Sequence, residues 1–458
     1  MNLQPKMRRQ IHKFHSRSQY EPVEIKYYFK DLQYSPTNNS SVDVGKPYTS
    51  PIQTIFSDAF LPDLLRAEKV YGILTRANMF NNIVSPSKST DPIKQRVLKR
   101  IVLPNGGQLE NNFDDYGRLI RTNYPDGVSM IYNYNDFGNL THIISTNDLR
   151  IGIEYDAIGR IVKIRHSKEG TFQYDWNSLN SFKRVKYPNS SEVHLKWDGN
   201  NRLSELKYKS EKIVLNSDKT GRLIGLLIND SVPYEFSKLN NKKSYDLHWV
   251  SNDDGKFRKV ITPVGIFLFD EEQRLKAKIG IDGQVTIYRY DKNENLISSW
   301  NYGGAARIEH YGDSSIAIIN PNGLRTLHLV DQKRPIIYMI NPFGVSMESY
   351  NEEKKMVTLV NDKGLRVINK FDDKGRLKGI NHPIDGKTQF IYKGEDILQK
   401  VTMKNGVEIM FDYRKSSQEL KKIICNGDLI GALNIVSYLL ESVISQASAS
   451  TLTDKGAE

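Results

Sequence analysis

Eight aspartates recur along this chain in a common setting, and carboxylates so placed are candidate acids and bases. Asp114, Asp156, Asp175, Asp198, Asp218, Asp270, Asp291 and Asp372 each stand behind an aromatic residue or, once, a serine. Paired carboxylates are the tools of glycoside hydrolysis, one as acid and the other as base or nucleophile. Four positions after most of them comes an arginine: Arg118, Arg160, Arg202, Arg222, Arg274 and Arg376. Rows of arginine and tyrosine would suit an anionic or sugar polymer. Yet a residue that recurs in every unit serves the unit, so these aspartates read as turn caps. The arginines read as solvent-face residues, each beside an acid on a neighbouring strand.

Other reagents are scarce. Of nine histidines only His12 and His15, in "HKFH", lie close together. Neither they nor the scattered remainder form a metal set, and no cofactor is implied. A single cysteine, Cys425, excludes an internal disulfide and a cysteine-based zinc site, and reads as a small buried hydrophobe. Gly-x-Ser-x-Gly, Gly-x4-Gly-Lys-Ser/Thr and His-Glu-x-x-His are absent.

The elements that position these side chains are repeats. "FDDYGRL" at 113 returns as "YNDFGNL" at 134, "YDAIGRI" at 155, "YDWNSLN" at 174, "WDGNNRL" at 197, "SDKTGRL" at 217 and "FDDKGRL" at 371, with weaker copies between and to 413. The period is about 20 residues, the mark of a repeat architecture. A second turn signal falls halfway along each unit, as in Pro125-Asp126-Gly127. Asp accepts hydrogen bonds from the backbone two residues on, and Gly supplies positive φ. Alternating apolar residues between turns give strands. The unit is a β-hairpin, with Asp114, Gly117, Arg118, Asp156, Gly159, Arg160, Asp372, Gly375 and Arg376 as its clearest structural residues.

Aromatic-Asp-x-x-Gly-Arg-Leu at this spacing resembles the YD repeat of Rhs proteins, of the C components of bacterial toxin complexes, and of teneurins. The resemblance covers about 113 to 427. It implies an all-β fold of tandem YD-type hairpins forming a long curled sheet or spiral shell. About 16 hairpins are about 32 strands, a ribbon roughly 150 Å long at ~4.8 Å per strand, and open sheets of that size curl, split or close. The toxin shells enclose a C-terminal toxin and end in Asp-Pro-x-Gly. Here "NPFG" at 341–344 and "TPVG" at 262–265 lack the aspartate and lie inside the array, and the 31 residues after it are few for an enzyme. Cargo release is therefore not carried over.

Beyond the array the reading is a basic arm (1–30), a linker and short helical region (31–100), the repeat shell (101–427), an amphipathic helix (428–446) and a disordered tail (447–458). Net charge is +12, with an acid-free basic run at the N-terminus. No stretch has the ~20 apolar residues of a membrane span and no secretory signal is evident, so a soluble protein, cytoplasmic or exported without a signal, is expected. The motif is weakest at 236–265 and 303–320, and Trp300, Tyr302, Arg307, His310 and Tyr311 around Gly303-Gly304 are the best guess for a ligand patch. The expected function is a non-enzymatic shell or scaffold for protein interaction, related to a toxin system. A partner protein would use the lumen or the 429–444 helix, and nucleic acid is not expected. The alternatives are a carbohydrate- or polyanion-binding surface and an enzyme with its site in the irregular middle.

Overall fold

The computed structural model describes residues 21–26 and most of 96–426, leaving out short internal stretches such as 237–241, 361–365 and 415–419. The remainder of the basic arm, the linker and short helical region up to residue 95, the helix expected over 428–446 and the tail lie outside the described residues. Within the expected arm, Glu21–Lys26 is a strand paired parallel to Arg96–Val102.

The described chain is all-β, as the repeat predicts. Thirty-four strands are joined by tight turns. Local sequence accounts for them: in Gly170–Trp176 the apolar Phe172 and Tyr174 are buried, while Gln173 and Asp175 face outward. That alternation is the signature of a strand with one covered face.

The array divides into two sheets, one of the outcomes open to a ribbon of this length. Fifteen strands, from Glu21–Lys26 to Val232–Glu235, follow chain order in a first sheet, and nineteen, from Lys242–Asp246 to Leu420–Asn426, form a second. The second sheet closes, with Lys242–Asp246 paired antiparallel to Leu420–Asn426 from Lys242↔Asn426 to Asp246↔Lys422. Closure removes the unpaired edge that a long sheet otherwise presents. Cys425 lies in this seam, opposite both Lys243 and Ile409, and is buried.

Two compact units cut across the sheets. Of the described residues, one holds those within 1–35, 77–171 and 309–346, and the other those within 172–308 and 347–458. Each packs strands of the first sheet on strands of the second. In the first unit, Tyr124 Oη donates to the Arg325 carbonyl at 2.6 Å and Asn111 Nδ2 to that of Pro342 at 2.7 Å. A Cβ on Gly323 would lie 2.0 Å from Ile143 Cδ1, a measure of how closely the layers approach. In the second, Tyr187 Oη donates to the Val285 carbonyl at 2.8 Å, and Phe172 meets Trp300 edge-on at 6.0 Å.

Candidate functional site

The residues that recur are the natural place to look for chemistry, and their geometry is the same wherever the motif is strong. At the first copy Asp114 Oδ1 accepts from the amides of Tyr116 (3.0 Å) and Arg118 (2.9 Å), while Arg118 Nε donates to Asp114 Oδ2 at 2.7 Å. Gly117 takes φ +73° to close the turn. The Arg118 guanidinium then lies 4.7 Å from the ring centre of Tyr134, the next copy's aromatic, whose hydroxyl donates to the Leu119 carbonyl at 2.8 Å. One aspartate, one arginine and one tyrosine thus tie a turn to the following hairpin.

The same relay recurs down the chain. Asp156, Asp198, Asp270 and Asp372 each bind the arginine four positions on at 2.6–2.9 Å. Tyr155, Tyr290, Tyr392 and Tyr413 each reach the carbonyl 15 residues back, at Leu140, Leu275, Leu377 and Leu398, and Trp197 does so through its indole N–H to Phe182. Asn135 and Asn177 replace aspartate and make the same two amide contacts.

This geometry corrects the sequence reading in two places. Arg118, Arg160, Arg202, Arg274 and Arg376 pair with the aspartate of their own turn, not with an acid on a neighbouring strand, while Arg222 meets Asp218 through its backbone amide. The copy expected at 174 begins instead at Trp176: Asn177 is its cap, and Asp175 faces the sheet surface with Arg184 at 2.7 Å. Gly375 and the turn after Asp291 lie outside the described residues.

Electrostatics agree with a structural role. Partial burial works against ionisation of Asp156 and Asp372, but hydrogen bonds from Arg160 and Arg376 hold both below the usual carboxylate range. Asp198 is lowered first by the Arg202 amide. A carboxylate held ionised in this way is a poor proton donor. Burial raises the Tyr134 and Tyr155 hydroxyls, so they remain neutral donors.

The patch expected around Gly303-Gly304 is placed as follows. Trp300 and Tyr302 are 5% and 7% exposed, packed edge-on against Phe172 and Phe182, with the Arg289 guanidinium 5.0 Å from the Trp300 ring. Arg307 is half-buried on Gly304–Tyr311, and the His310 and Tyr311 side chains lie outside the described residues. The two aromatic rings are therefore part of a packed core. "NPFG" and "TPVG" are two-residue hairpin turns. Asn341 Oδ1 accepts from the Phe343 amide at 2.9 Å, and Thr262 Oγ1 from the Val264 amide at 3.2 Å. Asn301 does the same for Gly303 at 2.8 Å.

Sequence reasoning missed three features. Arg325, fully buried, pairs with Asp126 and stacks 4.6 Å from the Tyr124 ring centre. His328 and Glu348 are buried ionisable groups: burial lowers His328 to about 3 and raises Glu348 to about 7. Finally, cross-strand register lines up Arg184, His194, Lys207 and Lys212, which no linear spacing reveals. Among the described residues no cluster of three or more metal-ligating side chains occurs, and no helix is long and apolar enough to cross a membrane.

With this geometry in view, residues 128–263 match the family model of the teneurin YD-shell. Solved structures similar to the chain include the complex TcdB2-TccC3-TEV, at 12% identity and TM-score 0.25 over 68% of this chain and 20% of that one. The Photorhabdus luminescens Tc holotoxin pore aligns at 11% identity and TM-score 0.27 over 67% and 17%. TcdB2-TccC3 aligns at 13% and 0.18 over 69% and 19%. The chain spans about a fifth of the length of these structures. None of the curated proteins compared matches it. Over residues 128–263 the repeat is thus similar to that of the teneurin YD-shell.

Proposed function

We propose that this chain is a non-enzymatic YD-type scaffold that works by holding or enclosing another protein. The observation that carries this reading is the fate of its reactive residues. The repeated aspartates, arginines and tyrosines are occupied with one another and with the backbone at every strong copy. The closed second sheet adds a surface without a free edge at its seam.

The test uses the full chain purified from its source, with cross-linking and limited proteolysis. The expected result is one stoichiometric protein partner, protected from protease, that becomes cleavable in Ser244→Pro. Proline within the closing pair Lys242–Asp246 cannot be accommodated in a central strand. Absence of any stoichiometric protein partner overturns the proposal. So does a turnover that Asp114→Asn and Asp156→Asn abolish at unchanged stability.

A further inference from the structure

The outward face of the first sheet between Phe182–Lys186 and Glu211–Ser217 carries an arrangement that the adjoining rows lack. Arg184 lies opposite His194, His194 opposite Lys207, and Lys207 opposite Lys212. Four basic side chains from four successive strands form one row, at ~4.8 Å per step and about 14 Å end to end. The rows on either side alternate in sign: Lys186 faces Glu192, and Lys196 faces Glu205 in a 2.8 Å ion pair. Unlike charges directly opposite stabilise a sheet and like charges destabilise it. In the central row like charges stand directly opposite, Lys207 against Lys212, and His194 joins them when protonated.

The ends of the row are neutralised, Arg184 by Asp175 at 2.7 Å and Lys212 by Asp230 at 2.9 Å. The middle is less so. His194 shares Glu192 at 3.4 Å, and Lys207 has no ionic partner among the described residues. His194 and Lys207 line an open depression of about 880 Å³ with Asn189, Ser191, Lys196, Lys209 and two carboxylates, Glu192 and Glu205, that are paired with Lys186 and Lys196.

We propose that this row binds a linear sulfated polysaccharide running across the strands, its sulfates over His194, Lys207 and Lys212. No aromatic side chain lines the depression, so it lacks the stacking platform on which single-stranded nucleic acid relies. An extended acidic peptide sets same-side carboxylates ~6.8 Å apart, out of step with cations at ~4.8 Å. Asn189, Ser190 and Ser191 offer hydrogen bonds to sugar hydroxyls beside the charges. This site is independent of the scaffold reading.

The probe is heparin, titrated against the full chain at about 50 mM salt, where exposed charges are weakly screened. H194Q/K207Q/K212Q is expected to weaken binding about tenfold or more, and the control K378Q/K387Q, two exposed lysines elsewhere, by less than about twofold. Lys207→Gln alone should raise the unfolding temperature without heparin, because it relieves the repulsion, while lowering affinity for it. The proposal is overturned if native protein fails to bind heparin, or if the triple variant binds as native does. It is equally overturned if desulfated heparin binds as well, or if poly-glutamate or oligo(dT) of equal charge binds more tightly.

Discussion

The hairpins between Phe113 and Glu235 and the strands between Phe257 and Val345 solve the same problem in different ways. In the former, strands alternate buried and exposed, and the turn tips stand in solvent; Tyr116 and Phe137 are 58% and 85% exposed. Charged Asp–Arg pairs close those turns. In the latter, Gly265–Phe269, Ser315–Ile319 and Ile336–Asn341 are buried on both faces along most of their length. The turns at Thr262 and Asn301 in this region are buried too and are capped by uncharged side chains, whereas the exposed turn after Asp270 keeps its charged pair with Arg274. Burying an ion pair costs desolvation that a hydroxyl or amide avoids. The fading of the YD motif in the middle of the array therefore marks a change of environment, not decay of the repeat.

The buried Asp126–Arg325 salt bridge is the exception to that rule, and its loss should have the largest effect. Arg325→Met leaves Asp126 uncompensated and should cost about 3–5 kcal/mol, whereas Arg325→Met with Asp126→Leu should recover much of it. Denaturant titration of the three proteins checks this. Next in size, Ile319→Ala opens a cavity in a strand covered on both faces, and should cost about 2–5 kcal/mol on the same measurement. Asp114→Ala, which removes two amide contacts and a guanidinium contact at an exposed turn, should cost only about 1–2 kcal/mol. If the cap variant proves as damaging as the core variant, the distinction between the regions fails.

The two buried ionisable groups predict opposite responses to pH, which sharpens the comparison further. Glu348 is raised to about 7, so its contribution is full below the ordinary value of 4.5 and is lost as pH climbs through 7. His328 is held neutral down to about 3, so stability falls as pH drops from 6.5, where the unfolded chain begins to bind the proton. All four tryptophans, Trp176, Trp197, Trp249 and Trp300, lie in the unit that holds Glu348. Their fluorescence on unfolding should show Glu348→Gln removing the loss between pH 4.5 and 7. Protection against hydrogen exchange at Arg325–Asp331, taken relative to the intrinsic rate at each pH, should fall as pH drops from 6.5 toward 3.

Much of this was legible in the residues because the relay is local. Asp114, Arg118, Leu119 and Tyr134 lie within 21 positions of one another, and each contact that joins them is made inside one repeat or across its border. The register error at Asp175 shows the limit of that reading. "YD" and "WN" compete two residues apart, and only the strand pairing shows which one caps a turn. Trp300 and Tyr302 stood out as unusual composition, but exposure cannot be read from composition.

The hairpin, its period and its caps follow from the order of residues alone, because they depend on backbone torsions and on hydrogen bonds between near neighbours. Tertiary structure alone decided where the ribbon splits into two sheets, which strands close the second, and which turns are buried. It also decided that Arg184, His194, Lys207 and Lys212 share a row. Those outcomes depend on pairing between distant strands and on which face each layer covers, quantities that no spacing along the chain encodes.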